Sequence, residues 1–252
     1  MDDAARKVLD ATIAIGRLYH RISAEQRAPM PDGPVLFVAN HGFGGVFDLN
    51  VLAFASAHDQ LGDTRDVAVL THQIAWTLGL GSILERFGSV PADHGSGLRA
   101  LRSGKHALVF PGGDIDGFKS WTDRNKVLFV GRTGFARLAM DADVPIVPVV
   151  TAGAGESLVV LGAGRRLARL ARLDRLLRVK TVALTVSLPW GVNAGLVGLL
   201  PYLPLPTKLT TTILPPMRPE PGESVADYAN RVHSAMAVEL KALTAERLPV
   251  IG

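Results

Sequence analysis

His41 and Asp48 are residues that could together move a proton, and six residues rich in glycine separate them. Histidine changes its charge near neutral pH, so His41 could take a proton from a hydroxyl group. A carboxylate on the other ring nitrogen would fix the tautomer and stabilise the imidazolium that forms. The chain has no cysteine and no clear serine nucleophile beside His41, so direct attack by an acceptor hydroxyl is the simplest scheme. The alternative is that His41 caps a helix or satisfies a loop carbonyl.

A glycine-rich turn, Phe110-Pro111-Gly112-Gly113, follows a second apolar run. Because glycine has no side chain, such a backbone can approach a ligand closely and present its N–H groups. A plain strand-to-loop turn is the alternative interpretation of this segment.

Basic side chains follow at Arg124, Lys126 and Arg132, shortly before a predicted helix. The first N–H groups of a helix are unpaired, and together with cationic side chains they can bind a phosphate or a carbonyl oxygen. Isolated arginines of this kind are more often simply solvated.

Alternating elements would position these residues. Short apolar runs typical of buried strands occupy residues 35–39, 66–71, 106–110 and 144–150. Helical patterns occupy residues 3–22, 48–58, 73–86, 95–103, 133–142 and 224–247. The alternation favours an α/β sheet with helices on both faces, and residues 180–214 form a second strand-rich patch. Without a repeat or a convincing linker, we expect a single domain.

The composition narrows the possible classes of protein. The chain has 252 residues, a net charge of +4 and no cysteine, which excludes disulfides, thiolate catalysis and cysteine metal sites. Mean hydropathy is +0.24, yet no apolar run reaches the roughly 18 to 20 residues of a spanning helix. The first residues are acidic and lack the apolar region of a secretory signal. We therefore expect a cytoplasmic protein that touches a membrane without crossing it.

Residues 165–178 place leucines on one helical face and arginines on the opposite face. This pattern is typical of a helix lying in a membrane interface, and residues 195–203 add an apolar loop. The alternative is an ordinary surface helix with its leucines in the core. Binding of nucleic acid is a poorer interpretation, because aromatic residues that could stack on bases are sparse.

Taken together, these segments resemble the glycerolipid acyltransferase superfamily, of the lysophosphatidic-acid acyltransferase type. The resemblance covers residues 33–150 and rests on four blocks in the family's order. The matching residues are Asn40, His41 and Asp48; Phe110-Pro111-Gly112-Gly113; Arg132-Thr133-Gly134-Phe135; and Val144 to Val149. The second and third of these blocks are similar to the diacylglycerol-acyltransferase-like branch of the superfamily.

Two departures from the family pattern keep alternatives open. The usual spacing between histidine and aspartate is four residues, so Asp114 is a rival to Asp48 as the partner of His41, and Asp48 could be only a helix N-cap. In addition, residues 88–93 lack the arginine that holds the acceptor's phosphate in the family. Another cation would have to replace it, or the acceptor carries a different head group. The available cations are Arg99, Lys119, Arg124, Lys126 and Arg132.

The resemblance implies a mixed, mostly parallel sheet flanked by helices. Residues 1–32 would form a helical membrane-proximal segment, residues 33–150 the motif-bearing core, and residues 151–252 a C-terminal part with the basic amphipathic helix. The resemblance also implies an O-acyltransferase of phospholipid biosynthesis that moves a fatty acyl group from acyl-CoA or acyl carrier protein to a glycerolipid hydroxyl. The implied acceptor is a lysophospholipid or an acylglycerol-phosphate.

His41 and Asp48 would be catalytic in such an enzyme. The implied substrate-binding residues are Asn40, Phe110, Pro111, Gly112, Gly113, Arg124, Lys126 and Arg132. We expect no metal, no cofactor and no nucleic-acid partner, and a monomer bound peripherally to an anionic membrane on its cytoplasmic face. Alternatives are a catalytically impaired lipid-binding module, transfer to a neutral acylglycerol and, on a superficial likeness of residues 153–157 to a nucleophile elbow, a serine hydrolase.

Overall fold

The computed structural model describes residues 3–42, 48–77, 79–162, 184–194 and 202–252. The predicted basic helix at 165–178 lies outside the described residues, as does most of the apolar loop at 195–203. Within the described part of the chain, no helix is long and apolar enough to cross a membrane.

The strands form two sheets. The larger has seven strands in the order β1–β10–β6–β2–β5–β3–β4, and the smaller has the order β7–β8–β9. The bounds in the larger sheet are β1 Ser23–Gln26, β2 Leu36–Ala39, β3 Val67–Thr71, β4 Ser89–Pro91, β5 His106–Val109, β6 Ile146–Ala152 and β10 Thr210–Ile213. Those in the smaller sheet are β7 Val159–Gly162, β8 Leu184–Ser187 and β9 Gly191–Ala194. Strands β6, β2, β5, β3 and β4 are parallel neighbours, whereas β10 runs antiparallel to β6 and parallel to β1.

The α-helices in the described residues are α1 Asp3–Tyr19, α2 Leu49–Gln60, α3 Ile74–Thr77, α4 Gly81–Arg86, α5 His94–Arg102, α6 Gly113–Gly117, α7 Gly134–Ala142 and α8 Val225–Thr244. Short 3₁₀ turns occupy Trp121–Asp123 and Ala154–Glu156. The mixed, mostly parallel sheet with flanking helices confirms the predicted fold class.

One predicted helix is wrong. The structure divides residues 73–86 into α3 and α4, and Gly79 lies between them with φ of +76°. Side chains other than glycine rarely adopt that backbone conformation, so the helix ends before Gly79 and a new one begins after it.

Alternating side chains of β2 show how the sheet is covered. Leu36 and Val38 face a core formed with α5, α7 and α8. Phe37 and Ala39 face a second core formed with α2. All four side chains are buried, as expected of a central parallel strand with helices on both faces. Strand β2 is therefore a central element of the core, and Asn40 and His41 follow it directly.

Candidate active site

His41 and Asp48 meet just beyond the carboxyl end of β2, where open α/β sheets commonly hold their sites. Strand β2 ends at Ala39, and α2 begins at Leu49 with Asp48 as its N-cap. The Asp48 Oδ2 atom lies 2.5 Å from His41 Nδ1, and Asp48 Oδ1 accepts the Asn50 N–H at 2.8 Å. Both carboxylate oxygens of Asp48 are thus engaged, and the longer spacing does not keep the pair apart.

The surroundings of His41 set the tautomer of its ring. An ionised carboxylate can only accept hydrogen bonds, so Nδ1 carries the proton and Nε2 keeps a free lone pair. The Phe110 ring stacks on the imidazole with centroids 4.5 Å apart and planes inclined by 25°. The side chains of His41 and Asp48 are 16% and 6% exposed. The pair is therefore shielded from bulk water, while the imidazole remains partly accessible from outside.

Asn40, which the sequence predicts to bind the substrate, is buried, and its side chain hydrogen-bonds to the main chain of β6. Its Nδ2 donates to the Thr151 carbonyl at 3.0 Å, and its Oδ1 accepts the Thr151 N–H at 2.9 Å. The Asn50 side chain donates in turn to the Asn40 carbonyl. These bonds fix the ends of β2 and β6 and the first turn of α2 relative to one another, on either side of His41.

The chain itself fills the space beside Gly112 and Gly113. A Cβ on Gly112 would overlap the Asp116 Cβ and stand 2.5 Å from the Leu128 carbonyl oxygen. A Cβ on Gly113, whose φ is +52°, would overlap Arg132 Nη1. The same guanidinium donates to the Pro111 carbonyl at 3.0 Å. Arg132 thus packs on the glycine turn that was predicted to approach a ligand.

Arg124 and Lys126 present cationic groups on the loop before α7. The Arg124 guanidinium carbon lies 4.5 Å from the centre of the Trp121 ring, and Nη1 donates to the Trp121 carbonyl at 2.7 Å. The Nε of Arg124 is buried and has no hydrogen-bond partner in the described part of the chain. Lys126 pairs with Asp123 at 2.7 Å, but its side chain is 63% exposed. Lys126 thus presents an exposed ammonium, whereas the Arg124 guanidinium packs on Trp121.

Asp116 and Lys119 form a buried ion pair that hydrogen-bonds to the main chain of His41. Asp116 Oδ2 accepts the His41 N–H at 2.8 Å. The Lys119 ammonium donates to the His41 carbonyl at 2.7 Å and to Asp116 Oδ1 at 2.9 Å. The two side chains are 0% and 2% exposed, so the ammonium of Lys119, considered above for phosphate binding, is already fully engaged. Sequence reasoning missed Asp116, because an acidic residue on a short helix gives no sign of burial.

Tyr202 is a further residue near the pair that sequence reasoning did not assign to the site. Burial raises the pKa of its phenol to about 12; a hydrogen bond with Ser157 opposes this rise, and the charge of Asp48 adds to it. Ser157 itself is buried, and its hydroxyl donates to the Ala154 carbonyl at 2.8 Å. A buried serine in that bond is poorly placed as a nucleophile, which disfavours the serine hydrolase alternative.

No group of three or more histidine, aspartate or glutamate side chains among the residues described could hold a metal ion. The geometry suits a histidine base, oriented by a carboxylate, that acts on a hydroxyl.

A solved structure has the same fold. The crystal structure of the 1-acyl-sn-glycerophosphate acyltransferase PlsC from Thermotoga maritima superposes with a TM-score of 0.56 and 17% sequence identity. The superposition covers 98% of this chain and 85% of that one. The α/β fold described above is thus also the fold of that PlsC enzyme.

Sequence comparisons agree with the fold. The family model named Acyltransferase matches residues 21–152, and the chain belongs to that family. An uncharacterised protein of Mycobacterium tuberculosis is 32% identical over 200 residues, which is 79% of this chain and 51% of that protein.

A mouse protein named DGAT1/2-independent enzyme synthesizing storage lipids is 30% identical over 166 residues, which is 65% of this chain and 49% of that protein. The human protein of the same name is 31% identical over 65% of this chain and 50% of its own length. The chain therefore spans about half the length of the curated relatives it matches.

Proposed function

We propose that this protein transfers a fatty acyl group from a thioester to a hydroxyl of a glycerolipid, with His41 as the general base. The observation that carries the proposal is the contact between His41 Nδ1 and Asp48 Oδ2 at the end of β2. That contact leaves Nε2 as the basic nitrogen, on a ring that is still 16% exposed. Membership of the acyltransferase family supports the reaction class.

The reaction needs no covalent enzyme intermediate. His41 Nε2 takes the proton of the acceptor hydroxyl while the hydroxyl oxygen attacks the thioester carbonyl carbon, and Asp48 stabilises the imidazolium. The tetrahedral intermediate collapses, the carbon–sulfur bond breaks, and the departing sulfur takes the proton from Nε2. The products are the ester and the free thiol, and His41 returns to its neutral form.

For the acceptor we propose a phosphorylated glycerolipid, a lysophospholipid or an acylglycerol-phosphate. The buried Arg124 Nε without a hydrogen-bond partner in the described residues favours this choice, because an unpaired cationic donor is costly unless an anion binds it. The exposed ammonium of Lys126 adds positive charge nearby.

A neutral acylglycerol is the second candidate acceptor. The observation that favours it is the name of the mouse and human relatives, which describes synthesis of storage lipids. Arg124 would then serve the loop alone, through its contacts with Trp121.

Purified protein supplied with acyl-CoA or acyl-loaded carrier protein and with each acceptor in turn tests these proposals. The released thiol and the lipid product are both measured, by a thiol reagent and by mass spectrometry. Product should appear with wild type, and His41→Ala should reduce turnover by about 10²- to 10⁴-fold, the usual contribution of general acid–base catalysis. His233→Ala is the control, because that histidine lies on α8 and donates one hydrogen bond to the Val127 carbonyl.

Three outcomes would reject parts of the proposal. His41→Ala with near wild-type turnover would remove the general base. Product with acylglycerols alone would reject the phosphorylated acceptor. Lipid binding without any transfer, in wild type, would favour the non-catalytic lipid-binding module.

We further propose that the protein acts peripherally at an anionic membrane, on the cytoplasmic face. In support, α1 exposes Ile15 and Leu18 to solvent, at 68% and 84%. The Tyr19 hydroxyl donates to the Pro204 carbonyl at 2.8 Å, beside Leu203, which is 60% exposed. In sequence, Leu203 lies between this contact and Tyr202, whose pKa the charge of Asp48 helps to raise, so a lipid acceptor that enters beside α1 could reach the base. The arginines at 165–178 would supply the second, electrostatic contribution that peripheral binding generally needs.

A further inference from the structure

We propose that the buried Asp116–Lys119 pair is a positioning device for His41, which sets the direction of the imidazole by holding both polar groups of its peptide backbone. This inference rests on the proposed function in one respect: its effect on rate is measured in the acyl-transfer reaction. The pair touches no reacting atom in this scheme and acts only through His41.

The contacts of the pair account for nearly every bond that it can make. The Lys119 ammonium has three N–H groups, and these donate to the His41 carbonyl, to Asp116 and to the Lys126 carbonyl at 2.7, 2.9 and 2.9 Å. The Asp116 carboxylate accepts from the His41 N–H and, at 3.1 Å, from the Leu128 N–H. Charged partners make these bonds stronger than neutral ones.

The position of these bonds is unusual because His41 lies in a loop and not in a strand. Main-chain groups in a sheet are held by their neighbours, but His41 lies two residues beyond β2. The N–H and the carbonyl of His41 instead bind one charged side chain each, and this fixes the backbone dihedrals from which the ring projects. The same pair also binds Lys126 and Leu128, so the basic loop and the histidine are held relative to one another.

Gly112 is an independent sign that the fold makes room for this pair. A side chain at Gly112 would overlap Asp116 and press on the Leu128 carbonyl. The second glycine of the turn, Gly113, makes room for Arg132. The glycine turn therefore allows α6 to bring Asp116 under the His41 peptide.

A purely structural role would predict loss of stability with normal turnover in the molecules that remain folded. A positioning role predicts a lower kcat with little change in KM, because substrate still binds while the base is misdirected. Displacement of a catalytic group by about 1 Å can cost roughly 10²-fold in rate.

Two double variants separate these roles. Asp116→Asn/Lys119→Met removes both charges together, which avoids leaving one buried charge unpaired, and leaves the His41 carbonyl without its donor. Asp116→Asn/Lys119→Gln also removes both charges but keeps amide N–H donors, on a side chain one bond shorter than that of lysine. The matched control is Glu156→Gln/Arg247→Met, which removes both charges of a second buried ion pair. In that pair Arg247 Nε lies 2.8 Å from Glu156 Oε1, and the side chains of Arg247 and Glu156 are 4% and 1% exposed.

The measurements are kcat and KM per folded molecule, and proton NMR of the His41 Nδ1–H in protein labelled with ¹⁵N-histidine and assigned by its absence in His41→Ala. We expect kcat to fall by about 10- to 100-fold in the methionine variant, with KM within about twofold. The glutamine variant should recover part of this loss. The ring N–H signal should shift or broaden in the same order, and the control should keep both the signal and kcat.

Either of two results overturns the proposal: an unchanged kcat and ring signal in the methionine variant, or an equal loss of kcat in the control. Should the methionine variant not fold, Asp116→Asn/Lys119→Leu takes its place, and an unchanged kcat and ring signal in that variant would overturn the proposal. If wild type transfers no acyl group, the proposed function fails, and the NMR signal alone then tests whether the pair positions His41.

Discussion

Replacement of Asp48 with asparagine separates two tasks that one carboxylate performs. Oδ2 accepts a hydrogen bond from the His41 Nδ1–H, and Oδ1 accepts one from the Asn50 N–H in the first turn of α2. An asparagine amide has a single oxygen, so Asp48→Asn can satisfy one of these donors and must turn its NH₂ group to the other. If the oxygen keeps the helix cap, the NH₂ group faces Nδ1, the imidazole proton moves to Nε2, and the base is blocked.

The size of the effect follows from this geometry. Aspartate and asparagine are nearly equal N-caps, whereas loss of a cap altogether costs about 1 kcal/mol. The free energy of unfolding should therefore change by no more than about 1 kcal/mol. The rate should fall much further, by about 10²- to 10⁴-fold in kcat, because the wrong tautomer predominates and no charge stabilises the imidazolium.

The assay combines the kcat of acyl transfer with the thermal unfolding midpoint of the same samples. Asp93→Asn is a matched control, because Asp93 caps α5 with both oxygens engaged, by the Ser96 N–H at 2.8 Å and the Ser96 hydroxyl at 2.7 Å. It should lose a similar amount of stability and no activity. If Asp48→Asn turned over like wild type while Asp114→Asn did not, the assignment of Asp48 as partner would be refuted.

Three further predictions concern the pH, the membrane and the acceptor. Burial lowers the pKa of His58 below its ordinary value of 6.5. As the pH falls, the unfolded chain therefore binds this proton before the folded chain does. The contribution of His58 to the free energy of unfolding is thus at its full value above about pH 6.5 and decreases below it. Unfolding midpoints at about pH 7.5 and 5.5 should show a smaller fall in His58→Phe than in wild type, and equal falls would contradict this. Ile15→Glu/Leu18→Glu should weaken co-sedimentation with anionic vesicles. Val238→Glu is the control and should not weaken it, because Val238 lies on α8 and its side chain is 70% exposed. Binding that is unchanged both by salt and by the first variant would argue against α1 as a docking element. Arg124→Gln should raise the KM for a phosphorylated acceptor by about tenfold, the equivalent of one charge-assisted hydrogen bond, and leave the KM for a neutral acceptor unchanged. An equal change in KM for both acceptors would mean that Arg124 only stabilises its loop.

Much of the fold follows from patterns that reflect burial. The apolar runs of β2, β3, β5 and β6 were predictable because a strand with helices on both faces is apolar throughout. Strand β1, Ser23–Gln26, was not, because it is a polar edge strand of four residues with three of them exposed. The place of β10 between β1 and β6 was equally hidden, since pairing between distant strands leaves no local signal.

At the site, sequence indicated which residues carry chemistry better than it indicated what supports them. The order of the family's blocks pointed to His41 and Asp48, and the structure brings the two side chains together. Asn40 and Lys119 look like ligands in sequence, yet each is buried and fully bonded to this chain. The type of a polar residue does not show whether its side chain is buried in the protein or contacts a substrate. Only the packing of the folded chain distinguishes the two cases.

The position of β10 also has a consequence for how the protein is made. Strand β6 receives its outer neighbour only when residues 210–213 have left the ribosome, and β1 pairs with nothing but β10 in the sheet. At about 5 to 20 residues per second, the roughly 60 residues that follow Ala152 take about 3 to 12 seconds to synthesise. Throughout that time the nascent chain presents an open strand edge to its neighbours on the polysome, a state in which chains tend to aggregate. A fragment that stops at residue 152, where the family match ends, would lack the strand that pairs with the outer edge of β6, so the segment that carries the motifs would keep this edge open.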